Sequence, residues 1–373
     1  MNNDELVREE SGEESVSFGD AKLISDYDAA AARSRFSMIG FAFAIFTVVI
    51  FAVSQLLATV AIVAEQLSGI PITSSTLFLN ALTPVTIYLF ALPILILFLT
   101  VFKVKGEAPK KNKLSLGVWV LLLVISFGLM YIGSYMGQFT MWGLTNIVGY
   151  NYSNMLNSMI DYDGMWITAL FLCVVAPIGE EFVFRKLLID RTHKYGGFVS
   201  IFLSALMFGL MHANFYQFFY AFLLGLLLGY LYYRTGNVWY TISLHAVINF
   251  VGSVLTAYLQ LGIENMEKAM ETLNLESLEE LMSFYAEYAW VIISSNAFTV
   301  FIFASMACAV IIPIIFRKRI VLERGEKPIP QKKAFGAAFC NVGIAVMLIV
   351  YAIEFWQRII LPPLSEYLAQ ISK

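Results

Sequence analysis

The chain has 373 residues, of which 59% are hydrophobic and 15% aromatic, while charged residues make up only 14%, against roughly 25% in an ordinary soluble domain. A water-soluble fold cannot hide that much apolar surface but a bilayer can accept it, so the totals point to a polytopic membrane protein. A net charge of −3 with no broad basic face argues against nucleic acid as a partner, and Cys173, Cys308 and Cys340 lie in apolar runs, where they read as small buried hydrophobes, not a disulfide framework or zinc cluster.

Residues 1–35 are acidic, led by Glu9, Glu10, Glu13 and Glu14, and read as a solvated, disordered tail. They contain no short apolar stretch of the signal-peptide kind, and neither end carries a lipidation motif. Apolar runs then follow at 36–64, 77–102, 114–138, 165–189, 198–216, 218–233, 238–260, 289–316 and 334–357. At ~20 residues per crossing this makes about nine spans in an all-α helix bundle. The runs at 198–216 and 218–233 are short and almost contiguous. Pro362 and Pro363 help to stop the last helix.

Basic residues cluster in alternate loops. Arg33 and Arg35 precede the first span, Lys103, Lys105, Lys110, Lys111 and Lys113 follow the second, and Lys186, Arg191 and Lys194 follow the fourth. Arg234 follows the sixth, and Arg317, Lys318, Arg319, Arg324, Lys327, Lys332 and Lys333 follow the eighth. The loops 65–76, 139–164 and 261–288 contain only Lys268. Positive charge is retained on the cytoplasmic side, so the expected topology has a cytoplasmic amino terminus and an external carboxyl terminus. In the external loop 261–288, Met266, Met270, Leu273, Leu278, Leu281, Met282 and Tyr285 recur at helical steps between glutamates, which predicts an amphipathic helix lying on the membrane surface, as a cap or a lid.

Ionisable groups inside a span are costly, by ~2.5–3.5 kcal/mol each on insertion scales. The fourth span nevertheless carries Glu180, Glu181 and Arg185. Glu181 and Arg185 are four residues apart and can pair on one helix face, while Glu180 points ~100° away and is left for proton transfer. The fifth span places Phe208 and His212 on one face, and the seventh does the same with His245 and Asn249. Two of the chain's three histidines thus sit in apolar spans; His193 reads as a loop residue. Glu180 lies 16 residues before the Gly196–Gly197 turn and His212 about as far after Gly196, so an antiparallel hairpin sets them at one height. His245, nine residues past Gly236, sits ~13 Å above its own turn and meets them if the 196–197 turn projects further into the cytoplasm.

A carboxylate, two imidazoles and an amide suffice for peptide hydrolysis. The carboxylate takes a proton from water, and one imidazole orients that water or binds a metal that acidifies it. The other imidazole and the amide donate to the oxyanion.

These residues resemble a known family. Glu180-Glu181-x-x-x-Arg185, Phe208-x-x-x-His212 and His245-x-x-x-Asn249, in that order on successive membrane helices, are similar to the motifs of the CAAX protease and bacteriocin-processing (CPBP, or Abi) intramembrane proteases, whose eukaryotic relative is the Ras-converting CAAX endopeptidase. The resemblance covers about 165–252. It implies a helical membrane fold with a polar chamber open to the cytosol. Glu180 would be the catalytic base, His212 would position the water, His245 and Asn249 would form the oxyanion site, and Glu181 and Arg185 would support the helix. A divalent metal such as zinc would use Glu180, His212 and His245. The organisation expected is a tail at 1–35, amino-terminal helices at 36–140, a CAAX-protease-like core at 141–260, the external segment at 261–288 and carboxyl-terminal helices at 289–373. The expected setting is a bacterial plasma membrane, with a membrane-bound protein or peptide as substrate. A proton-coupled transporter, and a scaffold or bacteriocin self-immunity protein of the same fold, are the alternatives; the intramembrane repeat of many transporters is missing.

Overall fold

The computed structural model describes residues 18–150, 152, 165–274, 276–322 and 331–364. Among them every extended element is helical: α1 Phe18–Ser68, α2 Thr76–Val101, α3 Leu116–Val148, α4 Met165–Tyr195, α5 Gly197–Met211, α6 Phe215–Thr235, α7 Val238–Glu271, α8 Leu278–Ile315, α9 Gln331–Phe339 and α10 Val342–Ile359. The protein is a polytopic helical bundle. Among the described residues eight helices are long and apolar enough to cross a membrane, and α5 is a shorter apolar helix.

The fifth predicted span differs because Asn214 stops it. The chain turns at 212–214, with Ala213 in the left-handed region at φ 50°, and the Asn214 Oδ1 accepts from the Gln217 N–H at 2.9 Å to cap α6. The last predicted span is also divided. Asn341 caps α10 by accepting from the Ile344 N–H at 3.0 Å, and its amide donates to the Ala337 and Ala338 carbonyls that end α9. The helix α10 ends at Ile359, ahead of Pro362 and Pro363.

Two further expectations are corrected. Residues 18–35, read as part of a disordered tail, are the first turns of α1, because Ala-rich sequence between the charges favours helix; residues 1–17 lie outside the described residues. The segment 261–288 is not one helix lying flat. Its first half is the continuation of α7 and its second half the start of α8, capped by Ser277, whose Oγ accepts from the Glu280 N–H at 3.3 Å. The two helix ends approach each other at Gly262, against Trp290 and Val291, while Met270, Leu278, Met282 and Tyr285 of the stripe remain exposed.

Lipid supplies no hydrophobic drive between helices, so close approach depends on small residues. A Cβ on Gly133 would stand 2.3 Å from the Tyr220 Cα, and one on Gly128 would stand 2.1 Å from the Ser305 carbonyl oxygen, so α3 lies backbone to backbone against α6 and α8. Gly40 and Gly343 do the same for α1 and α10. Helix α4 is held among α2, α5 and α7, and its Phe184, Leu187 and Leu188 belong to an apolar core with Phe36, Phe43, Leu95, Leu203 and Met207.

The basic ends of α4 and α6 are tied by the loop after α2. The Glu107 N–H donates to the Asp190 carbonyl at 2.8 Å and the Asn112 N–H to the Thr235 carbonyl at 2.9 Å, while the Arg191 Nε donates to the Val104 carbonyl at 2.9 Å. Gly236 at φ 58° ends α6, and any side chain there would collide with the Pro109 carbonyl. This loop fixes the height of the α4–α5 and α6–α7 turns relative to each other, and with it the register of the polar residues above.

Candidate active site

The polar side chains of α4 are presented by an irregular helix. Pro177 has no N–H to give, which loosens the hydrogen-bond ladder just before the glutamates, and π-helical turns at Phe171–Val175 and Phe182–Leu187 flank them. Such turns recur at functional sites because they redirect side chains without ending the helix. The Tyr88 hydroxyl, from a π-helical turn in α2, donates to the Val175 carbonyl. Its ring lies against Gly179, where a Cβ would fall 1.8 Å from the Tyr88 oxygen. Glycine before the two glutamates is therefore what lets α2 touch α4.

The two adjacent carboxylates meet different surroundings. Glu181 is completely buried, with Oε2 3.0 Å from the Arg185 Nε and Oε1 2.9 Å from the His245 Nδ1. Arg185 is also completely buried, and its guanidinium lies over the Phe208 ring at 4.7 Å from the centroid. The Nε–Oε2 contact has ion-pair distance but not hydrogen-bond alignment, and the Arg185 terminal nitrogens have no hydrogen-bond partner among the described residues. The pair is held by charge and by the ring, not by the two-pronged fork that arginine prefers. Glu180, one residue earlier, keeps 18% of its side chain accessible, and its Oε2 stands 3.7 Å from the His245 Nε2. That is beyond direct hydrogen-bond reach but spans the place of a shared water.

Hydrogen bonding assigns the histidine tautomers. The His245 Nδ1 faces a carboxylate and therefore carries the proton it donates to Glu181. The His212 Nδ1 lies 2.9 Å from the Phe208 carbonyl, which can only accept, so this nitrogen also carries its proton. A neutral His212 then has its lone pair on Nε2. Phe208 touches both rings, at 5.3 Å from the His212 centroid and 5.8 Å from that of His245. The α4 and α7 groups thus meet at the level of Glu181 and Phe208, and His212 lies a turn beyond. Asn249, one turn past His245, donates one amide proton to the Leu172 carbonyl at 2.8 Å, and a π-helical turn begins directly after it at Phe250. The structure brings Glu180, Glu181, Arg185, His245 and Phe208 into direct contact, adds His212 through Phe208, and ties Asn249 to α4 two turns below Glu180.

The metal expectation is not carried by this arrangement. Among the described residues no three His, Cys, Asp or Glu side chains gather closely enough to hold an ion. Glu180 and His245 face each other, and Phe208 touches both His245 and His212. Sequence reasoning missed Tyr88 and Tyr220, whose hydroxyls flank Glu180 from α2 and α6 within electrostatic range. One aromatic among so many apolar neighbours gives no signal before the packing is known.

A carboxylate with access to water, beside imidazoles inside a helical membrane bundle, is an arrangement chemically able to activate a water. Residues 162–251, the stretch that carries Glu180, Glu181, Arg185, His212, His245 and Asn249, match the family described as type II CAAX prenyl endopeptidase Rce1-like. No curated protein and no solved structure matches the chain.

Proposed function

We propose that the protein is an intramembrane endopeptidase that hydrolyses a peptide bond in a membrane-associated protein or peptide, with Glu180 as the base. The observation that carries the reading is the division of labour between neighbouring carboxylates. Glu181 is committed to Arg185 and His245, whereas Glu180 is accessible and faces the unprotonated edge of the same histidine at 3.7 Å.

In the step this supports, the Glu180 carboxylate takes a proton from a water as its oxygen bonds to the scissile carbonyl carbon. The His212 Nε2 accepts the water's second proton as a hydrogen bond and so orients it. The carbonyl oxygen becomes the oxyanion, for which Asn249 keeps one amide proton uncommitted. Collapse breaks the C–N bond, and protonated Glu180 returns its proton to the leaving amine. No step is routed through a metal. Placement of Lys and Arg in alternate loops supports a cytoplasmic amino terminus and a site reached from that side.

The test is purified protein in liposomes, incubated with a library of prenylated and unprenylated peptides in 18O-water. The expected result is an internal cut with one 18O in each new carboxyl group, undiminished by chelator and lost in Glu180→Gln. Cleavage abolished by chelator would contradict the metal-free step. No cleavage by the wild type, with the fold intact, would favour a scaffold or immunity role.

A further inference from the structure

The first turns of α6 contain a hydrogen-bonded chain that the step above does not use. Its direction can be read from one group that can only accept. The Asn214 amide nitrogen lies 2.8 Å from the His212 carbonyl, so that nitrogen must be a donor and the orientation of the Asn214 amide is settled. The same nitrogen donates to the Gln217 Oε1 at 2.7 Å. The Gln217 amide is thereby oriented too, with its nitrogen on the far side, and this nitrogen donates to the Tyr220 hydroxyl oxygen at 3.1 Å. The Tyr220 oxygen is an acceptor in this chain, so its own proton must point elsewhere. No described residue accepts it.

The phenol is also well placed and well held. Its ring meets His212 edge-on, at 6.3 Å between centroids, and its oxygen lies within electrostatic range of Glu180. Its main chain is pressed by α3 at Gly133, which leaves no room for Tyr220 to withdraw. Tyr88 approaches Glu180 from the opposite helix, but its proton is spent on the Val175 carbonyl. The donors near the carboxylate are therefore unequal. His245 gives its Nδ1 proton to Glu181, Asn249 gives one of its two to Leu172, and Tyr220 alone among these retains a hydroxyl proton with its oxygen already satisfied.

We propose that Tyr220 is a further catalytic residue, whose phenol donates a hydrogen bond to the oxyanion of the tetrahedral intermediate. The inference rests on the peptidase reading above. The Gln217 amide polarises the phenol in the useful direction, because a hydrogen bond accepted at oxygen makes the O–H a stronger donor. No covalent step is added: the proton stays on Tyr220 while negative charge grows and collapses beside it. The Asn214–Gln217 pair also couples this donor to the turn that carries His212, so the water-orienting group and the oxyanion donor move as one unit.

The experiment compares wild type, Tyr220→Phe, Gln217→Leu and Glu180→Gln in liposomes, against one cleaved peptide and two of its analogues. One analogue carries a phosphinate in place of the scissile amide and mimics the oxyanion. The other carries a methylene-amine there and has no oxygen. Tyr220→Phe keeps the ring and removes only the proton. It is expected to lower kcat about 100-fold, the typical loss for one oxyanion donor, with little change in KM. Affinity for the phosphinate should fall by a similar factor and affinity for the methylene-amine should not move, with an unchanged melting temperature. Gln217→Leu should show the same pattern with a smaller loss. Wild-type rates in Tyr220→Phe, or equal loss of affinity for both analogues, would overturn the Tyr220 role and leave the peptidase reading standing. Wild-type rates in Glu180→Gln would overturn the role of Glu180 as base, and no cleavage by the wild type would overturn the peptidase reading itself.

Discussion

Helices α4 and α8 are both long and apolar, yet they meet opposite surroundings. Only 11% of the most apolar stretch of α8 is buried, against 39% for α4. Helix α8 shows Ile293, Val300, Phe303, Val310 and Ile311 outward and touches α3 along a narrow seam at Ser305 and Ala309. Helix α4 carries two fully buried charged side chains, a proline and two π-helical turns. The comparison teaches that hydropathy alone makes a span, while departures from it, each costly in lipid, locate the chemistry. It also teaches that neighbouring carboxylates on one helix can divide between structure and reactivity.

Substitutions can break or sharpen that contrast. The largest effect is expected at Glu180, where Gln removes the base and should lower kcat/KM by about 10³-fold with an unchanged melting temperature, read by cleavage assay and thermal unfolding on one preparation. Glu181→Gln should instead act on the fold. It leaves the Arg185 guanidinium buried without its counter-charge, an expected loss of about 3–5 kcal/mol, seen as a lowered unfolding midpoint in detergent. Replacing both partners together, Glu181→Leu with Arg185→Met, should recover much of that stability. Gly179→Ala should cost about 1–3 kcal/mol by overpacking α4 on Tyr88, and Tyr88→Ala should relieve part of it. On α8, Val300→Ala or Phe303→Ala should change stability by no more than about 0.5 kcal/mol, because these side chains are mostly exposed.

Much of this was legible because lipid makes polar residues conspicuous. Glu180, Glu181 and Arg185 stood out inside an apolar run, and spacings of four put Phe208 with His212 and His245 with Asn249 on common faces. The helix ends were harder to read. Asn214 and Asn341 cap new helices inside continuous apolar stretches, so one span shortened to α5 and another split into α9 and α10. The helical stripe at 261–288 predicts one surface helix, since a repeat of three and four residues does not reveal that the helix breaks between Thr272 and Ser277. The π-helical turns have no sequence signature. The position of Asn249 on the Leu172 carbonyl, and the contact of Phe208 with both histidines, follow from packing across helices that no local pattern encodes.

The central claim is that Glu180 from α4 and His212 from the end of α5 act on the same water. A double-mutant cycle in liposomes tests it most directly, with kcat/KM measured for wild type, Glu180→Gln, His212→Gln and the double variant. Groups that serve one water fail together, so the double variant should lose little more than Glu180→Gln alone. Losses that multiply in full would show that the two residues act independently and would contradict the shared site.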